Sequence, residues 1–546
     1  MALIDRRIGV LFIAFVALLG LALARATYLG SVRAGSLERA AATQQVSDVV
    51  VPAPRGAITD RSGAELAMNV SADDIVADPY LITNAASASA ELSAVLGMPQ
   101  LTVLSRITRA HTGYVLLAHL VPSAQANLVA NLHIAGINLI PQTKRVYPRG
   151  TEAAQIIGTV HSNGVGASGI EYRYNNVLEG SDGLRRIVSD AIGQPISISD
   201  LRATRPGKTV ALTIDSGLQQ EVERVLAQVG STYSPKSATA IAVEPSTGAI
   251  LALANWRSPS ADSSAGPDDL AIGLNYEPGS TFKAITVAGA LQDGLVTPNT
   301  QFDIPPVLQF ADRQIHDAED HGYETLSVAN ILKYSSNIGA DLIGQRLGSK
   351  RFDDWVRRFG FGQPTGVDLP GEQSGIVLHW WQYSGSSMAN LPFGQGESVT
   401  PMQMVAAYDA IADGGILRAP HVVQSVGANA RALPPGHRII SAATASELRD
   451  MLRGVFADGG TASGAEISGY DMAGKTGTAN IAIDGHYSDS AYVASFIGMV
   501  PTDHPRLVVA VVVNQPQGSI FGGSVAAPAF QQIVGWAVPY LGLPPR

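Results

Sequence analysis

The chain has 546 residues, of which 46% are hydrophobic and 15% are charged. This balance is typical of a globular protein and excludes a disordered one, and the length predicts more than one domain. The formal net charge of −9 argues against nucleic acid as a partner, because phosphate binding requires a basic surface. The chain has no cysteine, which excludes disulfides and thiolate metal sites.

The first predicted element is a membrane anchor. Ile8–Ala24 is an uninterrupted apolar run with arginines on both flanks, and a bilayer core needs a helix of about 17–25 such residues. We therefore predict a cytoplasmic tail and transmembrane anchor over residues 1–30. Ala22–Ala24 also resembles a signal-peptidase site, so a cleaved signal peptide is the alternative, although the run exceeds the usual apolar core of about 7–15 residues. Either interpretation places the rest of the chain outside the cytoplasm.

Residues 31–206 mix short helices and strands, and they contain no motif that carries chemistry. The patterns predict helices at Asn84–Leu96 and Ser123–Asn131. Pro206-Gly207 is a plausible boundary. We predict a non-catalytic domain of mixed α and β structure over 31–206.

Residues 207–546 predict a second, mixed α/β domain whose sheet takes strands from distant parts of the chain. Two β-rich runs bracket Pro245–Gly248, which is a hairpin signal. The predicted strands are Thr209–Asp215, Thr239–Val243, Ile250–Ala254, Val493–Met499 and Leu507–Val513, and the predicted helices include Gly217–Ala227 and Ala526–Tyr540.

Ser280 is the candidate nucleophile of this domain. It follows Pro278-Gly279 and precedes an apolar helical run, so it is predicted in the first turn of a helix with Lys283 on the same face. A serine hydroxyl needs a neighbouring base, and a lysine can act as one if burial lowers its pKa. The helix N-terminus also offers N–H groups to a developing oxyanion. Alone, Ser-x-x-Lys also describes an ordinary capped helix with a solvated lysine.

Two further motifs follow in the same half of the chain. Ser335-Ser336-Asn337 ends the helical run Val328–Tyr334, and Lys475-Thr476-Gly477-Thr478 precedes a predicted strand. Lys475 and the threonine hydroxyls suit a substrate carboxylate, and Gly477 permits close approach to the backbone. Taken singly, these motifs also fit a helix end and a turn beside an edge strand. The order Ser-x-x-Lys, Ser-x-Asn, Lys-Thr-Gly is typical of penicillin-binding proteins and β-lactamases.

Other patterns carry less weight. Gly469–Thr476 fits the P-loop pattern, but a P-loop follows a buried strand and opens a helix, and neither is predicted here. His316, His321 and His486 lack metal-ligand spacing and are interpreted as solvated loop residues. We predict neither a metal site nor a cofactor.

The chain resembles the class B (monofunctional) penicillin-binding proteins over nearly its whole length. Beyond the three motifs, the matching stretches are PRGAITDRSG, AIAVEPSTGAILALAN, YEPGSTFK, FGFGQPTGVDLPGE, VTPMQMVAAYDAIADGG, AGKTGTA and SFIGMVP. The resemblance implies a single transmembrane anchor, a pedestal or dimerisation-like domain, and a penicillin-binding transpeptidase domain with an antiparallel sheet flanked by helices over residues 207–546. The motif order and the A-x-x-Q at Ala42–Gln45 resemble the division (septal) type more than the elongation type.

The resemblance also implies roles for the motif residues. Ser280 attacks the D-Ala-D-Ala end of a peptidoglycan stem peptide, and Lys283 is its base. Ser335 passes protons to the leaving group, and Asn337 holds the substrate amide. The terminal carboxylate of the substrate is bound by Lys475, Thr476 and Thr478, and Gly477 lets the substrate approach the backbone closely. The oxyanion hole is formed by the backbone N–H groups of Ser280 and Thr478.

The implied partners are stem peptides, β-lactams that acylate Ser280, a SEDS-family glycosyltransferase and other membrane proteins of cell-wall synthesis. A class A β-lactamase needs a glutamate for deacylation, and no E-x-x-L-N pattern is present. A D,D-carboxypeptidase differs only in its acceptor. A β-lactam sensor or a non-catalytic scaffold remains the alternative from another functional class.

Overall fold

The N-terminus forms one long apolar helix. The computed structural model describes residues 2–33, 46–189, 195–259, 269–483 and 485–545. The helix Ala2–Thr27 continues into a π-helical turn at Tyr28–Val32, and Ile8–Ser31 is long and apolar enough to cross a bilayer, with none of it buried. The predicted anchor is therefore a helix of membrane-spanning length. The A-x-x-Q at Ala42–Gln45 lies outside the described residues.

The chain divides into two compact units that interleave in sequence. The smaller comprises Ser71–Thr143, Glu179–Gly207 and the residues up to Arg55, and the larger comprises Gly56–Val70, Lys144–Leu178 and Lys208–Arg546. The last crossing, at 207/208, lies next to the boundary expected at Pro206-Gly207. A single division at this point would place segments 56–70 and 144–178 in the smaller unit, but they belong to the larger one.

The smaller unit contains an antiparallel three-stranded sheet and a separate core to which both helices and strands contribute. The sheet pairs Val46–Val51 with Gly183–Ser189, and the latter with Pro195–Arg202. Asn84 caps the first helix by accepting from the Ser87 N–H at 3.2 Å. Leu92, Val103, Leu117 and Val129 form part of one buried cluster. The helices of this unit are Ala85–Leu96, Gln100–Ile107 and Ser123–Ala130, and the strand among them is Val115–Pro122.

The larger unit is built on a five-stranded antiparallel sheet. Its strands are β1 (Ser237–Glu244), β2 (Ala249–Arg257), β3 (Ala473–Ile483), β4 (His486–Val500) and β5 (Leu507–Asn514), in the order β2-β1-β5-β4-β3. The central strand β5 is almost entirely apolar because both of its faces are covered. Val508, Ala510 and Val512 belong to one buried cluster, and Val509, Val511 and Val513 to the other, which is the two-residue period of a strand.

Helices cover both faces of this sheet. Helices α1 (Ser216–Tyr233) and α7 (Gly522–Tyr540) share one cluster with it, and α2 (Lys283–Gln292), α3 (Val328–Tyr334), α4 (Asn337–Leu347), α5 (Pro401–Ala412) and α6 (Ala442–Arg453) share the other. Helix α2 is buried on every side from Lys283 to Leu291, so it is a central helix rather than a surface one. Thr400 begins α5 with a capping box. The predicted mixed α/β class with an antiparallel sheet flanked by helices is confirmed.

The remaining elements are short, apart from two strands of 13 and 10 residues and one helix of 10 residues. The strands are Ile58–Thr59, Glu65–Ala77, Ile137–Val146, Val210–Leu212, Gln301–Ile304, Leu308–Phe310, Arg313–Ile315, Glu324–Ser327, Ile416–Leu417, Val423–Val426, Asn429–Ala430 and His437–Arg438. The helices are Ala154–Ile157, Gly169–Arg173, Asn175–Leu178, Leu270–Gly273 and Ser349–Arg358, with 3-10 turns at Gly279–Phe282, Trp380–Gln382, Ser387–Ala389, Leu391–Phe393 and Ser463–Ala465.

Candidate active site

Ser280 lies in a 3-10 turn, Gly279–Phe282, that leads directly into α2. Gly279 has φ +55°, a conformation that favours glycine, and its N–H donates to the Gly394 carbonyl at 2.9 Å. The Thr281 hydroxyl closes the turn by donating to the Pro278 carbonyl at 2.8 Å. Ser280 is half-buried, and within the described residues its hydroxyl makes no hydrogen bond. The turn therefore presents this hydroxyl on a rigid backbone.

Lys283 is fully buried at the start of α2. Its ammonium donates to the Asn337 Oδ1 at 2.8 Å, to the Ser335 Oγ at 3.2 Å and to the Ser335 carbonyl. Burial lowers the pKa of Lys283 to about 7, although the negative charge of Asp317 opposes this. Among the described residues, none of its hydrogen bonds reaches Ser280, so the amine is held by the second motif. Catalytic hydrogen bonds often shorten only when substrate is bound.

Ser335 joins the two lysines of the site. It ends α3 in a left-handed conformation with φ +63°, and the next residue, Ser336, caps α4. The Ser335 hydroxyl accepts from Lys283 at 3.2 Å and from Lys475 at 2.8 Å. Strain of this kind persists where surrounding contacts enforce it, and such residues cluster at functional sites.

Lys475 reaches the same point from β3. It is fully buried, and its pKa lies well below the ordinary value because of burial and the nearby charge of Lys283. Two buried ammonium groups that share one serine hydroxyl each disfavour protonation of the other. The sheet and the two helix ends therefore form a polar centre in which a lysine can act as a base near neutral pH.

Gly477 lets β3 lie directly against the Ser280 turn. A Cβ there would come within 2.3 Å of the Ser495 Oγ and 3.0 Å of the Pro278 carbonyl oxygen. On the neighbouring positions, the Thr476 hydroxyl donates to Thr461 at 2.9 Å, and the Thr478 hydroxyl accepts from the Gly522 N–H at 3.0 Å. The structure thus brings all eight predicted site residues, from the three motifs, into one locality.

Asp317 could not be singled out from the sequence, and His321 was expected to be a solvated loop residue. The Asp317 carboxylate accepts from the backbone of the second motif, and His321 Nε2 lies 3.2 Å from its Oδ2. The His321 side chain is only 18% exposed, so interpreting it as solvated was wrong. Its pKa is raised, first by the hydrogen bond to the Gly322 carbonyl and then by the charges of Asp317 and Glu324. The acidic run around these residues was the only signal in the sequence.

A pair of glutamates beside the nucleophile was also missed. The Tyr487 hydroxyl donates to Glu277, three residues before Ser280, at 3.0 Å. Glu397 is 2% exposed, and neither of its carboxyl oxygens has a hydrogen-bond partner among the described residues. Burial, reinforced by the charge of Glu277, raises the pKa of Glu397 to about 8. Glu397 is therefore largely uncharged at neutral pH.

Comparison with known families gives two matches. The family described as "Penicillin binding protein transpeptidase domain" matches residues 238–535, and "Penicillin-binding Protein dimerisation domain" matches residues 50–212. The chain is 32% identical to "Penicillin-binding protein PbpB" of Mycolicibacterium smegmatis, with 96% of this chain and 88% of that protein covered. It is also 32% identical to "Peptidoglycan D,D-transpeptidase FtsI" of Escherichia coli, with 93% and 86% covered.

Solved structures agree with these matches. The chain superposes on penicillin-binding protein 3 from Mycobacterium tuberculosis in complex with aztreonam with a TM-score of 0.71 and 30% identity, covering 91% of this chain and 98% of the other. A peptidoglycan synthetase from Bifidobacterium adolescentis gives a TM-score of 0.73 at 27% identity, covering 92% and 98%. The fold is therefore shared with these proteins.

Proposed function

Because the chain belongs to the class B penicillin-binding proteins, with both a transpeptidase and a dimerisation domain, we propose that Ser280 is the nucleophile of a peptidoglycan D,D-transpeptidase. The observation that carries this proposal is the Ser335 hydroxyl, held between the buried amines of Lys283 and Lys475 beside the Ser280 turn. A pKa of about 7 leaves a useful fraction of Lys283 neutral at physiological pH.

The first step forms an acyl-enzyme. Lys283 takes the proton of the Ser280 hydroxyl as the Oγ attacks the carbonyl carbon between the two D-Ala residues of a stem peptide. The tetrahedral oxyanion is stabilised by the backbone N–H groups of Ser280 and Thr478. As the peptide bond breaks, Ser335 delivers a proton to the departing amine of the terminal D-Ala and takes the proton held by Lys283 in its place. The donor peptide remains as an ester on Ser280.

The second step makes the cross-link. The amine of a second stem peptide attacks the ester carbonyl and gives up one proton to neutral Lys283. A new peptide bond forms, and Lys283 passes this proton to the Ser280 oxygen as the C–O bond breaks. The Asn337 amide orients the donor peptide, and its Oδ1 also holds Lys283 at 2.8 Å. Lys475, Thr476 and Thr478 form a cationic seat for the terminal carboxylate, with Gly477 permitting close approach. A β-lactam follows the first step, but its ring-opened acyl group blocks the second.

The rest of the chain positions this chemistry at the membrane. We assign residues 1–30 to a cytoplasmic tail and anchor, 31–206 to a non-catalytic pedestal, and 207–546 to the transpeptidase domain outside the cytoplasm. Within 31–206, the segments 56–70 and 144–178 pack with the larger unit. A SEDS-family glycosyltransferase, contacting the anchor and pedestal, would supply the glycan strands. A role in division is supported by the similarity to FtsI and to "Stage V sporulation protein D" of Bacillus subtilis, which is 33% identical over 90% of this chain.

Labelling with a fluorescent penicillin tests the nucleophile. The full-length protein in detergent is incubated with the probe beside Ser280→Ala and the exposed control Ser446→Ala, which lies on α6. We expect a stable covalent band on the wild type and on Ser446→Ala, and none on Ser280→Ala. A folded wild type that takes no label would contradict the proposal.

Peptide products then separate the alternatives. With a pentapeptide donor and an amine acceptor, a transpeptidase gives cross-linked dimer together with free D-Ala. Free D-Ala without dimer indicates a carboxypeptidase. A label on Ser280 with no turnover of peptide indicates a sensor or a scaffold.

A further inference from the structure

Asp317 connects the loop after strand Arg313–Ile315 to the second motif. Its Oδ1 accepts from the backbone N–H of Asn337 at 2.5 Å and of Ile338 at 3.0 Å, and its Oδ2 accepts from the Ser336 hydroxyl at 2.7 Å. The Asp317 side chain is only 9% exposed. A carboxylate that accepts several hydrogen bonds at the start of a helix is strongly held and stabilises that end of the helix.

These contacts continue from the motif to the base. Asn337 Oδ1 accepts from Lys283 Nζ at 2.8 Å, while Asn337 Nδ2 donates to the His316 carbonyl at 2.9 Å. The backbone of Asn337 is thus fixed by Asp317, and its side chain by the residue that precedes Asp317. A displacement of this loop would shift all three acceptors of the Lys283 ammonium, which are Asn337 Oδ1 and the two Ser335 oxygens.

We propose that Asp317 is a positioning residue of the transpeptidase site, one that holds the second motif, with Ser335 and Asn337, against Lys283. The inference rests on the proposed role of Lys283 as the base for Ser280. Asp317 does not touch the reacting atoms. It acts through the helix start and through its electric field.

In the part of the chain that the structure describes, few charged groups lie around Asp317 and Lys283. Lys283 lies on the α2 side and Lys475 on the β3 side. On the segment of Asp317 itself, His321 contacts Asp317, and Glu324 Oε1 lies 3.5 Å from the other ring nitrogen of His321. The charge of Asp317 raises the pKa of Lys283 against the larger effect of burial. Removing that charge therefore lowers the pKa of Lys283, so the neutral amine persists to lower pH.

The test is the pH dependence of acylation by a fluorescent penicillin, measured as a second-order rate constant between pH 5 and 9. The variant is Asp317→Asn, which keeps the size of the side chain and removes its charge. The matched control is Glu319→Gln, which removes an equal charge from an exposed position in the same segment. For Asp317→Asn we expect a plateau lower by about tenfold or more and an acid limb shifted to lower pH by about half a unit or more.

Each outcome decides the inference. The inference is overturned if Asp317→Asn shows the pH profile of the wild type, or if its plateau falls while its acid limb stays in place. It is also overturned if Glu319→Gln shifts the acid limb as much as Asp317→Asn does. If Asp317→Asn fails to fold, Ser336→Ala removes one donor to Asp317 but retains the charge. For Ser336→Ala, the plateau of the acylation rate should fall while the acid limb stays at the pH of the wild type. A plateau equal to that of the wild type in Ser336→Ala overturns the positioning role. If the wild type itself takes no label at Ser280, the proposed function fails and this inference fails with it.

Discussion

The Tyr408 hydroxyl donates a 2.7 Å hydrogen bond to the Thr281 carbonyl, directly behind the turn that carries Ser280. Tyr408 is fully buried on α5. Tyr408→Phe would leave that carbonyl without its buried partner, so we expect a loss of about 1–3 kcal/mol in the free energy of unfolding and slower acylation of Ser280. Urea denaturation and penicillin labelling measure the two effects. Tyr323→Phe, at a position 85% exposed, is the control and should change neither.

Ser335→Ala would remove the hydroxyl that lies between Lys283 and Lys475. The two buried amines would then face each other without a shared acceptor, and the leaving group would lose its proton donor. We expect the acylation rate to fall by about 100-fold or more, while the far-ultraviolet circular dichroism stays that of the wild type. An acylation rate within threefold of wild type would rule out a role for Ser335 in proton transfer.

Glu397→Gln tests the buried carboxyl beside Glu277. The pKa of Glu397 is raised to about 8 in the folded protein, so between its ordinary value of about 4.5 and 8 the folded state binds more protons than the unfolded state. The stability contributed by this group is therefore present at low pH and is lost as pH rises towards 8, by at most about 1.4 kcal/mol per pH unit.

The glutamine has no proton to lose, so Glu397→Gln should gain stability relative to wild type as pH rises from 5 to 8. Urea midpoints at several pH values measure this difference. Glu447→Gln, at an exposed position on α6, should keep the pH dependence of the wild type. A constant difference between Glu397→Gln and wild type across this range would contradict the prediction.

Glu171→Gln tests a buried ion pair of the larger unit. Arg145 Nε donates to Glu171 at 2.6 Å, and both side chains are at most 5% exposed. The same guanidinium donates to the Gly56 carbonyl and to Asn69, so it joins the segments 56–70 and 144–178. An unpaired buried charge costs about 3–5 kcal/mol, and urea denaturation should show a loss of that size. In the exposed pair Lys350–Asp354, Asp354→Asn should cost less than about 1 kcal/mol.

Local patterns were sufficient to predict the elements that carry the motifs. The apolar run Val328–Tyr334 is helix α3 with the same bounds, because Ser327 caps its start and Ser335 ends it. The apolar runs of β1, β2 and β5 predicted strands that the structure extends by one or more residues. Helix α1 continues to Tyr233, beyond the predicted Ala227, because its polar C-terminal residues still have Val229 and Gly230 on the buried face.

Contacts between distant segments could not be predicted in this way. Asp317 lies in a run with Glu319 and Asp320, and only the folded chain shows which of these carboxylates turns inward to α4. The fully buried Lys475 donates to Ser335, which is 140 residues away. The return of segments 56–70 and 144–178 to the larger unit rests on contacts such as that of the Arg61 N–H with the Ile214 carbonyl and that of Gln155 with the Leu253 carbonyl. Neither contact has a signature in its segment alone.

The burial of both site lysines makes this protein suitable for chemical modification. The chain has seven lysines, and four of them, Lys144, Lys208, Lys236 and Lys350, are exposed while Lys333 is half-buried. Amine-reactive reagents act on exposed, deprotonated amines, so Lys283 and Lys475 should escape them in the folded state. The protein could therefore be immobilised or dye-labelled through its surface amines, and its active sites could still be titrated with a β-lactam afterwards.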